Sequence, residues 1–585
     1  MQSENKICQN CKKEFLIEPE DFSFYEKVKV PPPTWCPDCR MIRRFLFKND
    51  RSLFRHKDEA SGKEIFSSFP AQAAVKVYDR EYWWSDKWDA MAYGRDYDFS
   101  RPFFEQFREL LYTVPLFSKS VLGNINSDYC DNAGFLKNCY LCFDLNYSEN
   151  CAYAVKGTSL KDSFDTYEVA KSEFCYESVI LEESYRVFFS IDCERCTDVW
   201  FSKDLTSCNN CFGCVNLRNK SYYIFNKSYS KEEYFEELKK LNAGSYRSMR
   251  DILQKAHELW IQFPVKYFHG YHNVNVNGQL LYNDKNVHQS YSVQDAENVK
   301  YSQMLLPKTS EAYDYSTFGV NASLVYECLT SGFNSSGLRF CWECWDGCRD
   351  LEYSTYCNTS SNLFGCVSLR KKEYCIFNKQ YSKEDYFALR EKIIQHMNDM
   401  PYTDAQGRVY RYGEFFPPEF SPFAYNETLT HDFFPLSKED AEVQGYVWRE
   451  PEVREFQTTI KAEDLPDHVD DATDDILKEV IGCAVCNKAY RFIPMELAFY
   501  RSMGIPLPRA CPNCRFLERF KLINPPKFWR RACQCNGAAD ERNIYQNAAT
   551  HPHGAGKCPN EFETSYSPEK PEIVYCESCY QNEVL

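Results

Sequence analysis

Two long stretches of the chain repeat a short pattern about every twelve residues, and this repetition constrains the fold more than any other feature. In the first stretch, strand-like clusters at Tyr140, Tyr153, Phe164, Tyr176 and Val187 follow one another at nearly even steps. Polar turn-forming residues lie between the clusters. A strand of about five residues and a polar corner, repeated every dozen residues, predicts a β-solenoid with two strands per turn. An antiparallel meander folded into a sandwich or barrel gives the same period, so that fold stays open.

The two stretches are copies of each other. Residues 212–235 (FGCVNLRNKSYYIFNKSYSKEEYF) recur as residues 364–387 (FGCVSLRKKEYCIFNKQYSKEDYF). The sequence changes character on either side of the repeats, where Glu, Lys and Leu replace aromatic and β-branched residues. We expect four flanking helices, over Phe103–Thr113, Lys231–Leu241, 248–261 and 383–396.

A second duplication joins the two ends of the chain. Adding 475 to the numbers of Cys8, Cys11, Cys36 and Cys39 gives Cys483, Cys486, Cys511 and Cys514. Two CxxC pairs can place four thiolates around one Zn²⁺ ion at about 2.3 Å. Such a closed shell leaves no position for water or substrate, so the sequence predicts a structural zinc site at each end.

A third structural zinc site is predicted close to the C-terminus. Its expected ligands are Cys535, Cys558, Cys576 and Cys579. Cys533 is an alternative to one of these four. His551 and His553 lie in the same loop and are possible imidazole ligands, but with enough thiols nearby we interpret them as loop residues.

Seventeen further cysteines lie within the two repeats. Free cysteine behaves as a small, readily buried hydrophobe, so a stacked column of cysteines can fill a narrow interior. We interpret the repeat cysteines in this way. The CxxCxxC spacing of Cys208, Cys211 and Cys214 leaves further zinc or iron–sulfur sites open.

Three sequence patterns resemble known families. The pattern CxxC, an aromatic pair, a Pro-rich turn and CPxCR, found at 8–40 and 483–515, resembles a small zinc-ribbon family of the treble-clef type. The end of the chain (KCPNEFETSYSPEKPEIVYCESCY) is similar to another short bacterial zinc ribbon, in which the first knuckle has two cysteines where this chain has Cys558 alone. Residues 212–235 resemble Cys-rich bacterial repeat proteins. These resemblances imply zinc binding and no particular activity.

Together these features predict a β-rich, multidomain chain with two duplicated β-solenoid-like (β-helix) units, flanking helices and small zinc ribbons that cap the units. The predicted divisions are an N-terminal zinc ribbon (1–57), a helical and aromatic connector (58–123), the first solenoid unit with its terminal helix (124–247), the second unit with flanking helices (248–399), an extended aromatic and Pro-rich arm (400–460), an acidic linker (461–479), the second zinc ribbon (480–531) and the C-terminal Cys-rich zinc site (532–585).

The sequence also predicts a compartment. The opening residues MQSENKICQNC lack a basic region followed by an apolar run, and no stretch approaches the roughly 18 apolar residues of a membrane span. We therefore expect a cytoplasmic protein that does not bind membranes. In that reducing compartment, 30 cysteines are better explained by metal ligation and packing than by disulfides.

The leading functional prediction is a zinc-binding scaffold or binding protein. Structural ribbons would cap the duplicated solenoid, because the end coils otherwise expose core and unpaired strand edges. The long solenoid face would engage a macromolecular partner of unknown identity. The formal net charge of −15 favours a protein over a nucleic acid as that partner.

Two alternative functions remain open. A basic helix after each ribbon could neutralise phosphates of a nucleic acid; its cations would be Arg40, Arg43 and Arg44 at one end, and Arg515, Arg519, Lys521, Arg530 and Arg531 at the other. A polysaccharide-active β-helix enzyme would need a groove beside platforms such as Trp342 and Trp345. The sequence has no phosphate-binding glycine loop, nucleophile elbow or HExxH motif, so no catalytic residue is assigned and an enzyme is less favoured.

Overall fold

The structure is a computed structural model that describes residues 2–450 and 457–584. Its strands gather into two large sheets, one of 14 and one of 12 strands, together with several small sheets. The prediction of a β-rich middle is therefore confirmed. In the described ranges no helix is long and apolar enough to cross a membrane.

The 14-stranded sheet, called the first array below, is almost entirely parallel. Its strands are Val121–Leu122, Ala133–Gly134, Phe143–Asn146, Val155–Thr158, Phe164–Ala170, Tyr176–Glu182, Tyr185–Phe188, Ile191–Glu194, Thr197–Trp200, Lys203–Thr206, Asn209–Phe212, Val215–Arg218, Ser221–Ile224 and Lys227–Ser228. Only the last of them pairs antiparallel. The pairing partner of a residue lies twelve positions further on, as in Phe143 with Val155 and Tyr167 with Val179.

The 12-stranded sheet, called the second array, has the same organisation. Its strands are Gly270–Tyr271, Val274–Tyr282, Lys285–Gln294, Glu297–Lys300, Gln303–Leu305, Ser310–Phe318, Ser323–Leu329, Ser336–Arg339, Arg349–Glu352, Ser361–Phe364, Glu373–Ile376 and Lys379–Gln380. Glu297 pairs with Ser310 and Ser310 pairs with Ser323, a step that is one position longer than the step from Arg349 to Ser361. Because all strand pairs except the last pair of each array are parallel, the antiparallel meander considered above is wrong for this chain.

Left-handed backbone conformations recur at nearly every third residue of the arrays. Asn138, Leu141, Asp144 and Tyr147 have φ values of 54°, 49°, 54° and 51°. Each such residue turns the chain, so that short extended segments alternate with corners. Asparagine tolerates this conformation better than most residues. The side chains of Asn126, Asn138 and Asn150 also hydrogen-bond to one another along one corner, the Nδ2 of each donating to the Oδ1 twelve positions further on at 3.2 and 3.1 Å.

The residue after each corner points into the array and is often small. In one stretch these interior residues are Cys139, Cys142, Leu145, Ser148 and Cys151, all buried. The Ser148 hydroxyl donates to the Asn146 carbonyl at 2.9 Å and accepts from the Leu160 N–H at 3.0 Å. Interior polar groups are thereby satisfied, as burial requires. All seventeen array cysteines are buried.

Asp284 is an interior carboxyl in the second array and makes stability depend on pH. It follows the left-handed Asn283, is buried, and accepts the Ala296 N–H at 2.8 Å and the Tyr282 N–H at 3.0 Å. Burial raises the pKa of Asp284 from 3.8 to about 7, although these N–H donors act to lower it. The folded chain therefore retains this proton more strongly than the unfolded chain, and stability falls as pH rises from about 4 to about 7.

We expect that replacing Asp284 with serine removes this fall in stability at higher pH. Serine is the usual polar residue at interior positions, where Ser290 accepts the Ser302 N–H and donates to the His288 carbonyl. At pH 8 the Asp284→Ser variant should be more stable by about 1–3 kcal/mol, within a limit of roughly 4 kcal/mol set by the pKa difference. Urea unfolding of both chains at pH 5 and pH 8 measures this. A variant that is less stable than the parent at pH 8 contradicts the prediction.

Helices surround the arrays. They span Pro19–Lys27, Pro37–Phe45, Arg80–Trp84, Phe103–Thr113, Lys231–Leu241, Tyr246–Trp260, Lys383–Asp399, Leu429–Phe433, Lys438–Val443, Pro494–Met503, Pro512–Phe520 and Glu577–Val584. Two of the four predicted helices have their predicted bounds. The helix predicted over 248–261 begins two residues earlier, and the helix predicted over 383–396 continues to Asp399.

The two helices that follow the arrays pack in equivalent ways. The hydroxyls of Ser230 and Ser382 accept backbone N–H groups of the first helical turn and so act as N-caps. Tyr234 contacts Tyr222 of the first array, with ring centres 5.7 Å apart, and Tyr386 contacts Tyr374 of the second at 5.8 Å. These helices, each preceded by the repeated YSKE segment, cover the last parallel strand of each array.

Small sheets connect the remaining parts. They pair Glu4–Ile7 with Glu14–Ile17, Phe54–Lys57 with Glu64–Ser67, Val77–Tyr78 with Leu116–Phe117, Pro264–Lys266 with Ile573–Tyr575, Tyr402–Thr403 with Val409–Tyr410, Ile460–Lys461 and Ala489–Tyr490 with Ile481–Gly482, and Trp529–Ala532 with Glu561–Thr564.

The aromatic arm and the acidic segment both contribute buried residues. In the arm, Phe416 stacks on Phe107 with ring centres 4.9 Å apart; residues 451–456 of the arm lie outside the described residues. In the segment predicted as an acidic linker, Leu465, Val469 and Ile476 are buried against the neighbouring Cys-rich unit. The predicted acidic linker is therefore not exposed along its whole length.

The two Cys-rich units lie on the sides of the arrays. We call residues 4–45 the N-terminal four-cysteine unit and residues 481–520 the C-terminal four-cysteine unit. Helix Pro37–Phe45 packs on strands Ser310–Phe318 and Ser323–Leu329, which have further strands on both sides. Helix Pro512–Phe520 packs on Phe164–Ala170 and Tyr176–Glu182 in the same way. The prediction that these units cap the array ends is therefore wrong.

Candidate metal centres

The N-terminal four-cysteine unit brings its four predicted ligands together. Cys8 and Cys11 follow the first strand of a hairpin, Cys36 is the N-cap of helix Pro37–Phe45, and Cys39 lies in its first turn. The four sulfur atoms all lie within 4.8 Å of one another. The Cys11 and Cys36 sulfurs are 3.7 Å apart, close to the roughly 3.8 Å that separates two thiolates of a tetrahedral site with about 2.3 Å metal–sulfur bonds.

Neighbouring donors favour the thiolate form in this unit. The Cys36 N–H donates to the Cys8 sulfur at 3.2 Å, and the Asn10 side chain donates to the Cys39 sulfur at 3.3 Å. Hydrogen bonds from the Cys36 and Cys39 thiols hold the pKa of Cys8 well below its usual range. Because a thiolate and not a thiol binds a metal ion, this arrangement favours Cys8 as one metal-binding thiolate, whereas hydrogen bonds with Cys39 and Cys8 raise the pKa of Cys36.

The C-terminal four-cysteine unit repeats this geometry with Cys483, Cys486, Cys511 and Cys514. The Cys486 and Cys511 sulfurs are again 3.7 Å apart, and the Cys511 N–H donates to the Cys483 sulfur at 3.2 Å. Burial acts to raise the pKa of Cys483, but the backbone N–H donors of Cys511, Cys486 and Val485 bring it down to about 7. This unit can therefore also supply a thiolate near neutral pH.

A third group of four cysteines, called the tail cluster, lies close to the C-terminus. It consists of Cys533, Cys558, Cys576 and Cys579, all buried, with sulfur atoms within 4.8 Å of one another. The Cys558 and Cys576 sulfurs are 3.9 Å apart, and the Cys576 N–H donates to the Cys533 sulfur at 3.2 Å. Three of the four predicted ligands meet here, but the fourth position belongs to Cys533 and not to Cys535.

Cys535 belongs to a second group beside the tail cluster. Cys535, His551, His553 and Cys579 also have their ligand atoms within 4.8 Å of one another. The two histidines, interpreted above as loop residues, are therefore near a thiol. The sequence contains one signal for this group, because a Cys-x-Cys (533–535) and a His-x-His (551–553) both precede the last CxxC (576–579).

The arginines proposed for nucleic-acid binding point into the protein. In the N-terminal four-cysteine unit, Arg40 pairs with Asp314 at 2.8 Å, Arg43 with Glu327 at 3.0 Å, and Arg44 with both carboxylates. All three arginine side chains are at most 1% exposed. Because Asp314 and Glu327 already compensate their charges, these arginines cannot contact phosphates.

The C-terminal four-cysteine unit makes the equivalent contacts with the first array. Arg515 pairs with Asp165 at 2.8 Å and Arg519 with Glu177 at 2.8 Å, and both arginines are buried. Lys521 and Arg530 are exposed but pair with acidic neighbours on their own surface, and Arg531 donates to backbone carbonyls. The basic helices predicted as a nucleic-acid interface are thus mainly array-binding elements, and that interpretation is wrong.

The same three corner positions receive the arginines in each array. The receiving residues are Tyr153, Asp165 and Glu177 in the first array, and Tyr301, Asp314 and Glu327 in the second. All six have left-handed backbone conformations. The Arg515 guanidinium lies 5.1 Å from the Tyr153 ring centre, and that of Arg40 lies 5.3 Å from the Tyr301 ring centre. The duplication therefore includes the contact between each unit and its array.

The array cysteines do not form comparable groups. Within the described residues, the clusters of His, Cys and acidic side chains with ligand-like distances contain none of the seventeen. The thiol of Cys208, for example, donates to the Leu217 carbonyl at 3.4 Å. These thiols satisfy backbone carbonyls inside the array, so the geometry does not support the additional zinc or iron–sulfur sites left open by the CxxCxxC spacing.

Of the two tryptophans expected in a polysaccharide groove, Trp342 is buried and Trp345 is half-buried. Trp342 is buried and packs edge-on to Phe47 at 5.4 Å, and Trp345 packs edge-on to Phe318 at 4.3 Å. The cavity that Trp342 helps to line has a volume of about 20 Å³, which is space for about one water molecule. Trp342 is therefore not available as a sugar-binding platform.

Comparison with known proteins does not identify these sites. The chain matches no known protein-family profile and no curated protein. Among solved structures it matches one described as a "putative acetyltransferase" from Desulfovibrio desulfuricans G20, at 11% identity, over 50% of this chain and 86% of that one, with a TM-score of 0.11. A TM-score this low does not indicate a shared fold, and that description implies nothing about this chain.

Proposed function

We propose that this chain is a zinc-binding scaffold protein, in which structural zinc sites stabilise the two four-cysteine units on the sides of two β-solenoids. The observation that carries the proposal is the presence of three four-cysteine groups, each with its four sulfur atoms within 4.8 Å of one another and with one sulfur–sulfur distance of 3.7 to 3.9 Å. Four thiolates complete a tetrahedral shell, which supports a structural and not a catalytic role.

Zinc is the metal that best fits these groups. Tetrahedral sites with four sulfur ligands select zinc or iron–sulfur centres. Proposed zinc sites of this type contribute folding free energy directly, because the ligands come together only in the folded unit. Each four-cysteine unit is too small to rely on a large hydrophobic core of its own, which supports a stabilising role for the ion.

The β-solenoid part of the proposal rests on the parallel ladders. Nearly constant steps between paired strands, interior residues after each left-handed corner and hydrogen-bonded asparagine side chains along one corner are all expected of stacked coils. The arrays would serve as the rigid body of the scaffold, and the two four-cysteine units would be fixed to equivalent places on it.

Metal analysis of the purified full chain tests the proposal. We expect at least three zinc ions per chain, one for each group of four cysteines, and no visible absorption from iron. The Cys175→Ser variant is a matched control, because Cys175 is an interior array residue and serine occupies many equivalent positions; its zinc content should equal that of the parent. Iron in place of zinc, or a chain without bound metal, would show the proposal to be wrong.

A protein partner forms the second part of the proposal. At the start of the first array, Leu122, Ile125, Phe135 and Tyr147 are 48% to 63% exposed, and the Phe135 and Tyr147 rings stack with centres 5.0 Å apart. Contiguous exposed apolar surface of this kind favours a binding site for an apolar protein surface. A photo-crosslinker at position 147 should capture one defined protein that the exposed control position 185 does not; equal labelling from both positions would argue against it.

A further inference from the structure

Seven potential metal ligands lie together near the C-terminus. They are the five thiols of Cys533, Cys535, Cys558, Cys576 and Cys579 and the imidazoles of His551 and His553. The tail cluster and the group that contains the histidines share one member, Cys579. The shared residue indicates that the two groups are halves of one centre.

Distances in the histidine group fit a tetrahedral ion. The Cys535 sulfur lies 3.4 Å from His551 Nδ1 and 3.3 Å from His553 Nε2. A tetrahedral zinc ion with bonds of about 2.3 Å to sulfur and about 2.0–2.1 Å to nitrogen places these atoms about 3.6 Å apart. The side chains thus lie within a few tenths of an ångström of a ligand arrangement.

A buried carboxylate orients His551. The Nε2 of His551 lies 2.8 Å from an Oε1 of Glu583, and both side chains are 0% exposed. Glu583 also accepts the Ala548 N–H at 2.8 Å and the Tyr545 hydroxyl at 2.8 Å. With its Nε2 proton directed to Glu583, His551 presents the lone pair of Nδ1 to Cys535, as histidine ligands of metal ions do.

The loop around Cys535 is fixed by polar and steric contacts. Asn547 Nδ2 donates to the Cys535 sulfur at 3.3 Å, and its Oδ1 accepts the Tyr575 hydroxyl at 2.8 Å. Gly537 has a φ of 85°, and a Cβ at this position would lie 2.7 Å from the Gly554 carbonyl oxygen. His553 Nδ1 is buried without a hydrogen-bond partner, so this imidazole has no polar contact that competes with a role as ligand through Nε2.

We propose that these seven residues form a dinuclear zinc centre in which the Cys579 thiolate bridges two ions. Two four-coordinate ions need eight donor positions, and seven residues supply eight only when one of them is shared. Cys533, Cys558 and Cys576 complete the first ion, and Cys535, His551 and His553 complete the second. Five thiolates and two Zn²⁺ ions leave a net charge of −1, lower in magnitude than the −2 of an isolated zinc site with four cysteine ligands.

This inference rests on zinc binding by the tail cluster, as proposed above, and adds a separate ion. Zinc analysis of the full chain should give four ions, two in the four-cysteine units and two in the tail. The double variant His551→Ala/His553→Ala should bind three ions. The variant His553→Cys, which keeps a ligand at that position, should bind four, and so should the control His272→Ala, which replaces an exposed histidine of the second array.

Cadmium-113 NMR of the substituted chain tests the bridge itself. Two tail resonances should split each other by coupling through the shared Cys579 sulfur, and only the resonance of the fully sulfur-ligated ion should remain in the double histidine variant. Three ions in the parent chain would overturn the dinuclear centre while leaving the proposed scaffold function intact. Four ions in the double variant, or two uncoupled tail resonances, would also overturn it, whereas a chain without metal would defeat both proposals.

Discussion

Alanine at Cys39 is expected to release the metal ion from the N-terminal four-cysteine unit and to unfold helix Pro37–Phe45 while the second array stays folded. Cys39 lies in the first turn of that helix, and its sulfur belongs to the group that includes Cys8, Cys11 and Cys36. By comparison with zinc-finger peptides, the ion contributes on the order of 10 kcal/mol to local folding. The helix should then exchange its amide hydrogens nearly as fast as an unfolded segment.

Hydrogen-exchange mass spectrometry together with metal analysis measures this effect. The expected pattern is one ion fewer per chain, fast exchange over residues 37–45 and unchanged exchange in strands Ser336–Arg339 and Arg349–Glu352, which belong to the same array but lie outside the strands that pack on this helix. The matched control Cys175→Ser should change neither the metal content nor the exchange of this helix. Full metal content in Cys39→Ala, or protection that persists over 37–45, would contradict a role of Cys39 as ligand.

Asparagine at Asp165 is expected to weaken the attachment of the C-terminal four-cysteine unit to the first array. Asp165 is 0% exposed and pairs with Arg515 at 2.8 Å and Arg519 at 3.0 Å. Loss of one partner from a buried ion pair leaves charge uncompensated and typically costs about 3–5 kcal/mol. Exchange in helix Pro512–Phe520 should become faster by roughly 10²- to 10³-fold, since about 1.4 kcal/mol corresponds to a factor of ten.

The duplication supplies an internal replicate and a control for this experiment. Asp314→Asn should accelerate exchange in helix Pro37–Phe45, because Asp314 pairs with Arg40 and Arg44 as Asp165 pairs with Arg515 and Arg519. The half-buried Asp162 lies on another corner and accepts the Asn150 side chain, so Asp162→Asn should change stability by less than about 0.5 kcal/mol. Equal effects of Asp162→Asn and Asp165→Asn would argue against the buried pairs.

Much of the array structure could be predicted from the sequence. The spacing of aromatic clusters indicated the step of about twelve, and the repeated YSKE segments marked the helices that begin after Ser230 and Ser382. Parallel pairing could not be separated from an antiparallel meander, because strand periodicity is the same in both. The recurrence of Asn at 126, 138 and 150 was an additional signal, since a left-handed corner at each coil favours asparagine.

The contacts of the two four-cysteine units were not predictable in the same way. Arg40 and Arg515 follow the last cysteine of each unit and look like exposed basic residues when only the local sequence is considered. Their partners lie in distant parts of the chain, and the pairing of Asp314 with Arg40 depends on which corner faces outward. Burial of the arginines follows from this tertiary contact and not from helix periodicity.

The choice between Cys533 and Cys535 as a ligand of the tail cluster could not be predicted from local geometry. Cys533 and Cys535 are two residues apart, and in an extended segment side chains two apart point to the same side. Strand Trp529–Ala532 leads directly into them, so periodicity directs both thiols toward the same region. Only the loop that carries His551 and His553 determines that Cys533 joins the tail cluster and Cys535 joins the histidines.

The N-terminal four-cysteine unit packs on the second array and the C-terminal four-cysteine unit packs on the first. This crossed arrangement has a consequence during synthesis. The carboxylates of Asp165 and Glu177 are paired with Arg515 and Arg519, which the ribosome adds only after both arrays have been made. At about 5–20 residues per second, a growing chain would leave the face of its first array uncovered for roughly 20–70 s. During that interval the carboxylates of Asp165 and Glu177 have no arginine partner. A chain that is released before Arg515 is added would keep these two carboxylates exposed to solvent.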